Sequence, residues 1–263
     1  MQLEILLNIN IIVLILMKRG LDFSLSLFGL IICSPFMIPI LIIVWLQDWH
    51  TPFYIAQRVG KGEKIFKMVK IRSMVIHADK SGVDSTSSND NRITRVGRFI
   101  RNFKLDELSQ LLNVLVGDMS LVGPRPNVKR ETDLYTKEEK KLLSVKPGIT
   151  DFSSIVFSDE GEILKEQADP DIAYNQLIRP WKSKLGIFYI ENQSIYLDLK
   201  LIYLTIIAII SRDKALYKTS ELLKKLSADV ELIQISLRKS ILVPNPPPGS
   251  NKIVTNREGR VDY

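Results

Sequence analysis

From Phe23 to Leu46 the chain has no charged side chain, a run long enough to cross a bilayer, yet Pro35 and Pro39 fall near its middle. Each proline removes one helical hydrogen bond, and Pro35 also pushes Ser34 out of helical geometry. A straight span and a kinked helix that enters and leaves on the same side are both open on these residues. The Ser34 hydroxyl is placed to satisfy a carbonyl freed by the break, which is how such breaks persist in lipid. A shorter apolar stretch from Ile11 to Met17 precedes Lys18 and Arg19. Residues 1–17 lack the positive start and small-residue end of a secretory signal, so they are expected to be retained.

The rest of the chain is richer in charge. Lys and Arg number 36 against 29 Asp and Glu in 263 residues, a net charge of +7 that favours anionic partners: phospholipid, nucleic acid or a phosphorylated metabolite. Cys33 is the only cysteine and lies in the apolar run, so no intrachain disulfide forms. With His50 and His77 as the only histidines, a Cys/His zinc site is out of reach, and a Ser-His-Asp triad has little to draw on. Carboxylates are the expected catalytic groups.

Phe53 to Val59 and Ile65 to Ile71 read as strands joined around Gly60-Lys61-Gly62-Glu63, a hairpin whose second strand ends in Lys70-Ile71-Arg72. Asp79 to Asn91 is composed as a loop. Arg92, Arg95, Arg98, Arg101 and Lys104 then recur in threes, a mostly positive helical face suited to solvent, phosphate or anionic lipid. Leu105, Leu108, Leu112 and Leu115 predict an amphipathic helix over Leu105 to Val116, with Asp106 and Glu107 in its first turn. There the helix dipole favours ionised carboxylates, and such a pair is most often only a capping feature. Downstream, Gly123-Pro124-Arg125-Pro126 stiffens the backbone on both sides of one arginine. A guanidinium so held loses little freedom on meeting a phosphate.

Together these segments resemble the bacterial sugar transferases, monotopic phosphoglycosyl transferases that load the first sugar phosphate onto polyprenyl phosphate. The matching elements run in family order: Lys18-Arg19 with Asp22, Ser34-Pro35, Gln57-Arg58-Val59-Gly60, Lys70 to Met74, Leu105-Asp106-Glu107-Leu108, Gly117 to Pro126, and Lys146-Pro147-Gly148-Ile149-Thr150. They cover about residues 18 to 211. The resemblance implies an α+β fold: a mostly helical catalytic domain with a small β-hairpin, attached to a re-entrant membrane helix broken at Ser34-Pro35. It divides the chain into a membrane segment (1–47), a catalytic domain (48–212) and a helical extension with a polar tail (213–263). It also implies the cytoplasmic face of the bacterial inner membrane.

In such enzymes the aspartate of the dyad attacks the sugar-linked phosphorus of a UDP-sugar, releases UMP and carries the phosphosugar to undecaprenyl phosphate. On this sequence Asp106 is the implied nucleophile and Glu107 the implied ligand of Mg²⁺, the expected cofactor, which with cations offsets charge on the diphosphate. Arg125, Lys70 and Arg72 are the expected phosphate-binding cations, and only Arg125 has a backbone setting that argues for this by itself. Expected partners are the UDP-sugar, polyprenyl phosphate and membrane lipid, not nucleic acid. A homo-oligomer or downstream glycosyltransferases are left open. A catalytically silent scaffold for polysaccharide assembly is the alternative, and the intact Asp106-Glu107 pair argues against it.

Two departures from the family stand out: Ser109 where proline is frequent, and Asp151-Phe152-Ser153-Ser154 after Gly-Ile-Thr, beside the expected donor site. Leu201 to Ile210 is too short to span and reads as an interfacial or packed helix. Ala215 to Lys239 reads as helical. The Pro244-to-Gly249 run ends regular structure and reads as the start of a linker or docking segment.

Overall fold

The computed structural model describes residues 2–78 and 86–256, with side-chain detail from Leu14 onward. Part of the loop expected over Asp79 to Asn91 therefore lies outside the described residues. Helix α1 (Gln2–Leu46) runs 45 residues and contains both prolines. The expected break is thus a missing bond within one helix rather than a gap between two. Pro35 has no N–H to offer the Ile31 carbonyl, and the Ser34 hydroxyl donates to that oxygen at 2.8 Å. From Leu14 to Leu46 the helix is apolar and long enough to cross a membrane by length and composition. One face is lined by buried Asp22, Ser26, Met37 and Val44, while Phe28, Ile31, Phe36 and Trp45 are exposed on the other.

Two separate stretches of α1 are fastened to the same body. The Lys18 ammonium donates to Asp198 Oδ2 at 2.5 Å and to the Tyr189 hydroxyl and Val122 carbonyl at 3.1 Å each. Arg19 donates to the carbonyls of Val114 and Leu115, and Asp22 accepts from the Leu121 N–H at 3.0 Å. At the far end Met37 and Val44 close a cluster with Ile71 and Ile100, against which Leu105 and Leu108 pack.

The hairpin forms over the residues expected. Strands β1 (Phe53–Val59) and β2 (Ile65–Ile71) pair antiparallel with Phe53 opposite Ile71 and Val59 opposite Ile65. Ala56, Val59, Met68 and Ile71 are the buried residues of the pair, spaced by three on each strand, so both faces of the hairpin are partly covered. Helix α2 (Arg95–Asn102), capped by Thr94 Oγ1 on the Gly97 N–H, carries the basic face. Next comes a 3₁₀ segment (Leu105–Gln110) and then α3 (Leu111–Val116), where the leucine period had predicted one α-helix. Leu112 is exposed, so the stripe serves the α1 side rather than a central core.

Strand β3 (Ser120–Val122) lies parallel to β4 (Gly148–Thr150), with α4 (Lys129–Thr132) and a 3₁₀ segment (Glu139–Ser144) between them. Short helices α5 (Phe152–Val156), α6 (Glu160–Ile163) and α7 (Pro170–Ala173) lead through a π-turn (Tyr174–Ile178) into α8 (Arg179–Glu191). The chain ends in α9 (Ile195–Ile210), α10 (Arg212–Lys225) and α11 (Val230–Leu237). The result is helix-rich and mixed, as expected of an α+β chain.

Phe152, Ile155, Leu185, Tyr189, Leu201, Leu223 and Leu232 belong to one core, so α10 and α11 share it with α5, α8 and α9. Helix α9 buries Leu197, Leu201 and Leu204 and exposes Tyr196, Leu199, Tyr203 and Ile206. That two-sidedness fits a packed, interfacial helix. The stretch read as helical from Ala215 to Lys239 is two helices, because Ser227 turns left-handed at φ 57° between them. The tail docks: the Asn245 N–H donates to the Gln176 carbonyl at 3.0 Å, Gln176 Nε2 donates to the Val254 carbonyl at 2.6 Å, and the Thr136 hydroxyl donates to the Pro248 carbonyl.

Candidate active site

Asp106 and Glu107 open the 3₁₀ segment directly after Lys104, which is left-handed at φ 53° and turns the chain from α2 into the new direction. Their flanking leucines rest on α1, so the dyad stands above the apolar helix. Strand β2 is fixed beside it by side chains that fill its open edge. Asn113 donates to the Lys67 carbonyl at 2.7 Å and accepts from the Val69 N–H at 2.9 Å, and the Ser109 hydroxyl donates to the Val69 carbonyl at 3.0 Å. The last bond gives the Ser109 departure a purpose, since a proline there has no hydroxyl to donate. Lys70 follows immediately and shares the cavity with the dyad.

Arg125 arrives from the opposite side. Gly123 and Gly148 let two backbones meet: the Gly123 N–H donates to the Thr150 carbonyl at 3.0 Å and the Gly148 N–H to the Pro124 carbonyl at 2.9 Å. Beyond the arginine, the Asn127 carbonyl accepts from the Val59 N–H at 2.9 Å. Held at both ends, Arg125 donates to Glu107 Oε1 at 2.6 Å and to the Ile149 carbonyl at 3.2 Å.

These contacts split the dyad. Burial pushes the Glu107 carboxyl up, but the charge and hydrogen bond of Arg125, with Lys104 and Lys70, overrule it and hold the group at about 2. Asp106 goes the other way: burial raises it, Lys70 opposes, and neighbouring Glu107 adds to the rise. The expected help from a helix dipole is thereby corrected, because a short 3₁₀ turn begins here and burial outweighs it. Burial lowers Lys70, against the pull of Asp106 and Glu107. The site thus pairs one carboxyl group tied to arginine with a second, more basic one facing a lysine.

The cavity around them is about 940 Å³ and extends past Tyr135, Ser154, Glu160, Tyr174 and Lys182. The departing segment after β4 forms part of its wall: Asp151 caps α5, accepting from the Ser154 N–H and from the hydroxyls of Ser153 and Ser154 at 2.7–2.8 Å. Behind this wall Arg179 and Glu139 make a buried two-bond pair at 2.6 and 3.0 Å.

Asp106, Glu107, Lys70 and Arg125 therefore converge as expected. Arg72 borders the same cavity, but its guanidinium is engaged by Asp48 Oδ1 at 2.6 Å, by Asp48 Oδ2, and by the Thr51 carbonyl at 2.9 Å. The hydrogen bond from Arg72 holds the Asp48 carboxyl at about 2. Arg72 thus braces the entry from α1 into β1 rather than pointing a free cation at the dyad. Ser34 and Pro35 stay on α1, away from the cavity lining. In the sequence Lys104 stands out only as part of a basic face, and no motif marks Gln110.

The site therefore sets two carboxyl groups among fixed cations beside a long apolar helix. The chain belongs to the bacterial sugar transferase family, whose pattern it matches over residues 13–212. It is 31% identical over 199 residues to the UDP-N-acetylgalactosamine-undecaprenyl-phosphate N-acetylgalactosaminephosphotransferase of Aeromonas hydrophila, covering 74% of this chain and 44% of that protein. It is 35% identical to the undecaprenyl-phosphate galactose phosphotransferase of Salmonella typhimurium, covering 76% of this chain and 41% of the relative. With the exopolysaccharide production protein ExoY of Sinorhizobium fredii it shares 30% identity over 73% of this chain and 84% of the relative. The chain thus spans less than half the length of the first two and most of the third.

Proposed function

We propose that this chain transfers a sugar 1-phosphate from a UDP-sugar to undecaprenyl phosphate at the cytoplasmic face of the bacterial inner membrane, beginning the assembly of a polysaccharide or glycan. The observation that carries the reading is the convergence of Asp106, Glu107, Lys70 and Arg125 in one cavity above α1. The names of the Aeromonas and Salmonella relatives, both undecaprenyl-phosphate phosphotransferases, support it. A cavity of about 940 Å³ accommodates a nucleotide sugar.

An Asp106 carboxylate oxygen attacks the sugar-bound phosphorus. The bond from that phosphorus to the bridging oxygen breaks, and UMP leaves with the electron pair. A phosphate oxygen of undecaprenyl phosphate then attacks the same phosphorus, forming the diphosphate-linked sugar and freeing the carboxylate. Arg125 and Lys70 offset the phosphate charge that would otherwise repel the nucleophile.

Mg²⁺ suits the dyad because that ion is commonly held by one or two carboxylates with substrate phosphates completing its shell. Glu107, whose carboxylate borders the cavity beside Asp106, is the group that would hold it, with substrate phosphates completing the shell. When bound, the ion would neutralise part of the diphosphate charge and steady the leaving group.

The membrane helix is read as re-entrant. Lys18, Arg19 and Asp22 at one end and Val44 and Asp48 at the other are bonded to or packed on one body, and a straight crossing would separate them. Keeping both basic-flanked ends in the cytoplasm also follows the positive-inside tendency.

The test is incubation of the full chain, in detergent or lipid with Mg²⁺, with a panel of UDP-sugars and no polyprenyl phosphate. UMP release and a phosphosugar adduct on the peptide containing Asp106 are expected, and Asp106→Asn abolishes both. An adduct elsewhere, or one that persists in Asp106→Asn, overturns the nucleophile. No UMP release with any donor overturns the transferase reading.

A further inference from the structure

Gln110 closes the 3₁₀ segment that Asp106 and Glu107 open. In that geometry residues three apart eclipse one another, which stacks Gln110 on the same edge as Glu107. The side chain is 2% exposed, borders the cavity with the dyad, and its Nε2 has no hydrogen-bond partner. Every other polar side chain from Asp106 to Asn113 has a defined engagement or charge environment. Glu107 is bonded to Arg125, Ser109 to the Val69 carbonyl, and Asn113 to the edge of β2, while Asp106 faces Lys70. Buried amide hydrogens without acceptors are rare in folded chains, because the desolvation cost is not recovered unless an acceptor comes to them.

We propose that Gln110 is a phosphoryl-binding residue whose Nε2 donates to a non-bridging oxygen of the phosphoryl group that Asp106 attacks. The inference rests on the transferase reading above and deepens it. The neighbouring cations cannot fill this role alone. Lys70 and Arg125 are drawn to Asp106 and Glu107, so their charge quiets the carboxylates as well as the phosphate. A neutral, buried amide stabilises the charge that builds on the phosphoryl oxygens during attack without tying up the nucleophile. The turn that presents the nucleophile also fixes the distance to the donor, so the two move as one unit.

Gln110→Met keeps the side chain's length and removes both amide hydrogens. Gln110→Glu keeps the shape and adds a third negative charge. In single-turnover reactions with UDP-sugar and no polyprenyl phosphate, adduct formation slows about 100-fold in Gln110→Met, the usual loss for one oxyanion donor. It slows further in Gln110→Glu. In Gln110→Met, inhibition by free UMP and the melting temperature stay at parental values, because the contact is to the transferred phosphoryl group and not to the part that leaves. Adduct formation within threefold of the parent in Gln110→Met overturns the assignment. So does a loss that follows weaker UMP inhibition or a lowered melting temperature. If the parent forms no adduct with any UDP-sugar, the transferase reading fails and takes this one with it, whereas a competent parent with an unaffected variant fails Gln110 alone.

Discussion

Gly148→Ala tests whether backbone contact, rather than any side chain, places Arg125. A Cβ built on Gly148 stands 2.1 Å from the Gly123 nitrogen, 2.4 Å from its oxygen and 2.6 Å from its Cα. Ordinary contact needs about 3.5 Å, so the two segments must part by more than roughly 1 Å. Neither obstacle is a flexible side chain that could swing aside. Parting weakens two hydrogen bonds, Gly123 N–H to Thr150 and Gly148 N–H to Pro124. Overpacking of this kind costs about 1–3 kcal/mol, and two lost backbone bonds add about 0.5–1.5 kcal/mol each. The expected destabilisation is therefore roughly 2–6 kcal/mol, or several degrees to about 20 °C in melting temperature. Arg125 lies two residues from the clash, and a displacement near 1 Å is worth about 100-fold in rate where charge must meet charge in place. Thermal unfolding and UMP release from UDP-sugar, measured on the same detergent-solubilised sample, check both figures. Gly20→Ala is the control, since nothing lies within 4 Å of the added methyl group. If Gly148→Ala melts within about 2 °C of the parent and turns over within threefold, the close approach of β3 and β4 does not position Arg125.

Lys70→Met removes the charge that opposes the burial of Asp106, so the carboxyl rises further above its ordinary range. The reactive form is the anion, present above that pKa and lost as pH falls through it. The acid limb of the pH–rate profile for adduct formation therefore moves to higher pH, and an unmoved limb refutes the pairing. Glu139→Ala leaves the Arg179 guanidinium buried without its carboxylate, where side-chain exposure is 3% and 0% for the two partners. A loss of about 3–5 kcal/mol is expected in denaturant unfolding. A loss under about 1 kcal/mol would show that water or the Asn175 side chain replaces the pair.

The hairpin was legible to the residue because two short strand-like runs flank a glycine turn, and both signals are local. The dyad and Arg125 were legible as separate motifs, but their meeting was not, since it depends on β3 and β4, three residues each and paired across an interval no local pattern spans. The leucine spacing suited either an α-helix or a tighter turn, and the choice of 3₁₀ at Leu105 follows from left-handed Lys104 and from Ser109 reaching to β2. Arg72 looked equivalent to Lys70 because both end one strand. Alternation places them on the same side of the chain, and only the position of Asp48 after α1 separates their tasks. The split between α10 and α11 was hidden because Ser227, with no glycine or proline near it, adopts a left-handed turn.

The bond from Lys18 to Asp198 joins positions 180 residues apart. During synthesis α1 is made before the carboxylate that receives its lysine, whereas the Val122 carbonyl that shares that lysine is made midway through the interval. At ordinary elongation rates the interval is roughly 10–40 s. Ile71, Ile100 and the Val114 and Leu115 carbonyls, which α1 also meets, are made earlier, so the helix gains most of its protein surface before its lysine gains a carboxylate. The closing of α9 over Lys18 is thus the latest of the contacts that fasten α1, and a chain cut short before Asp198 leaves that ammonium without its carboxylate.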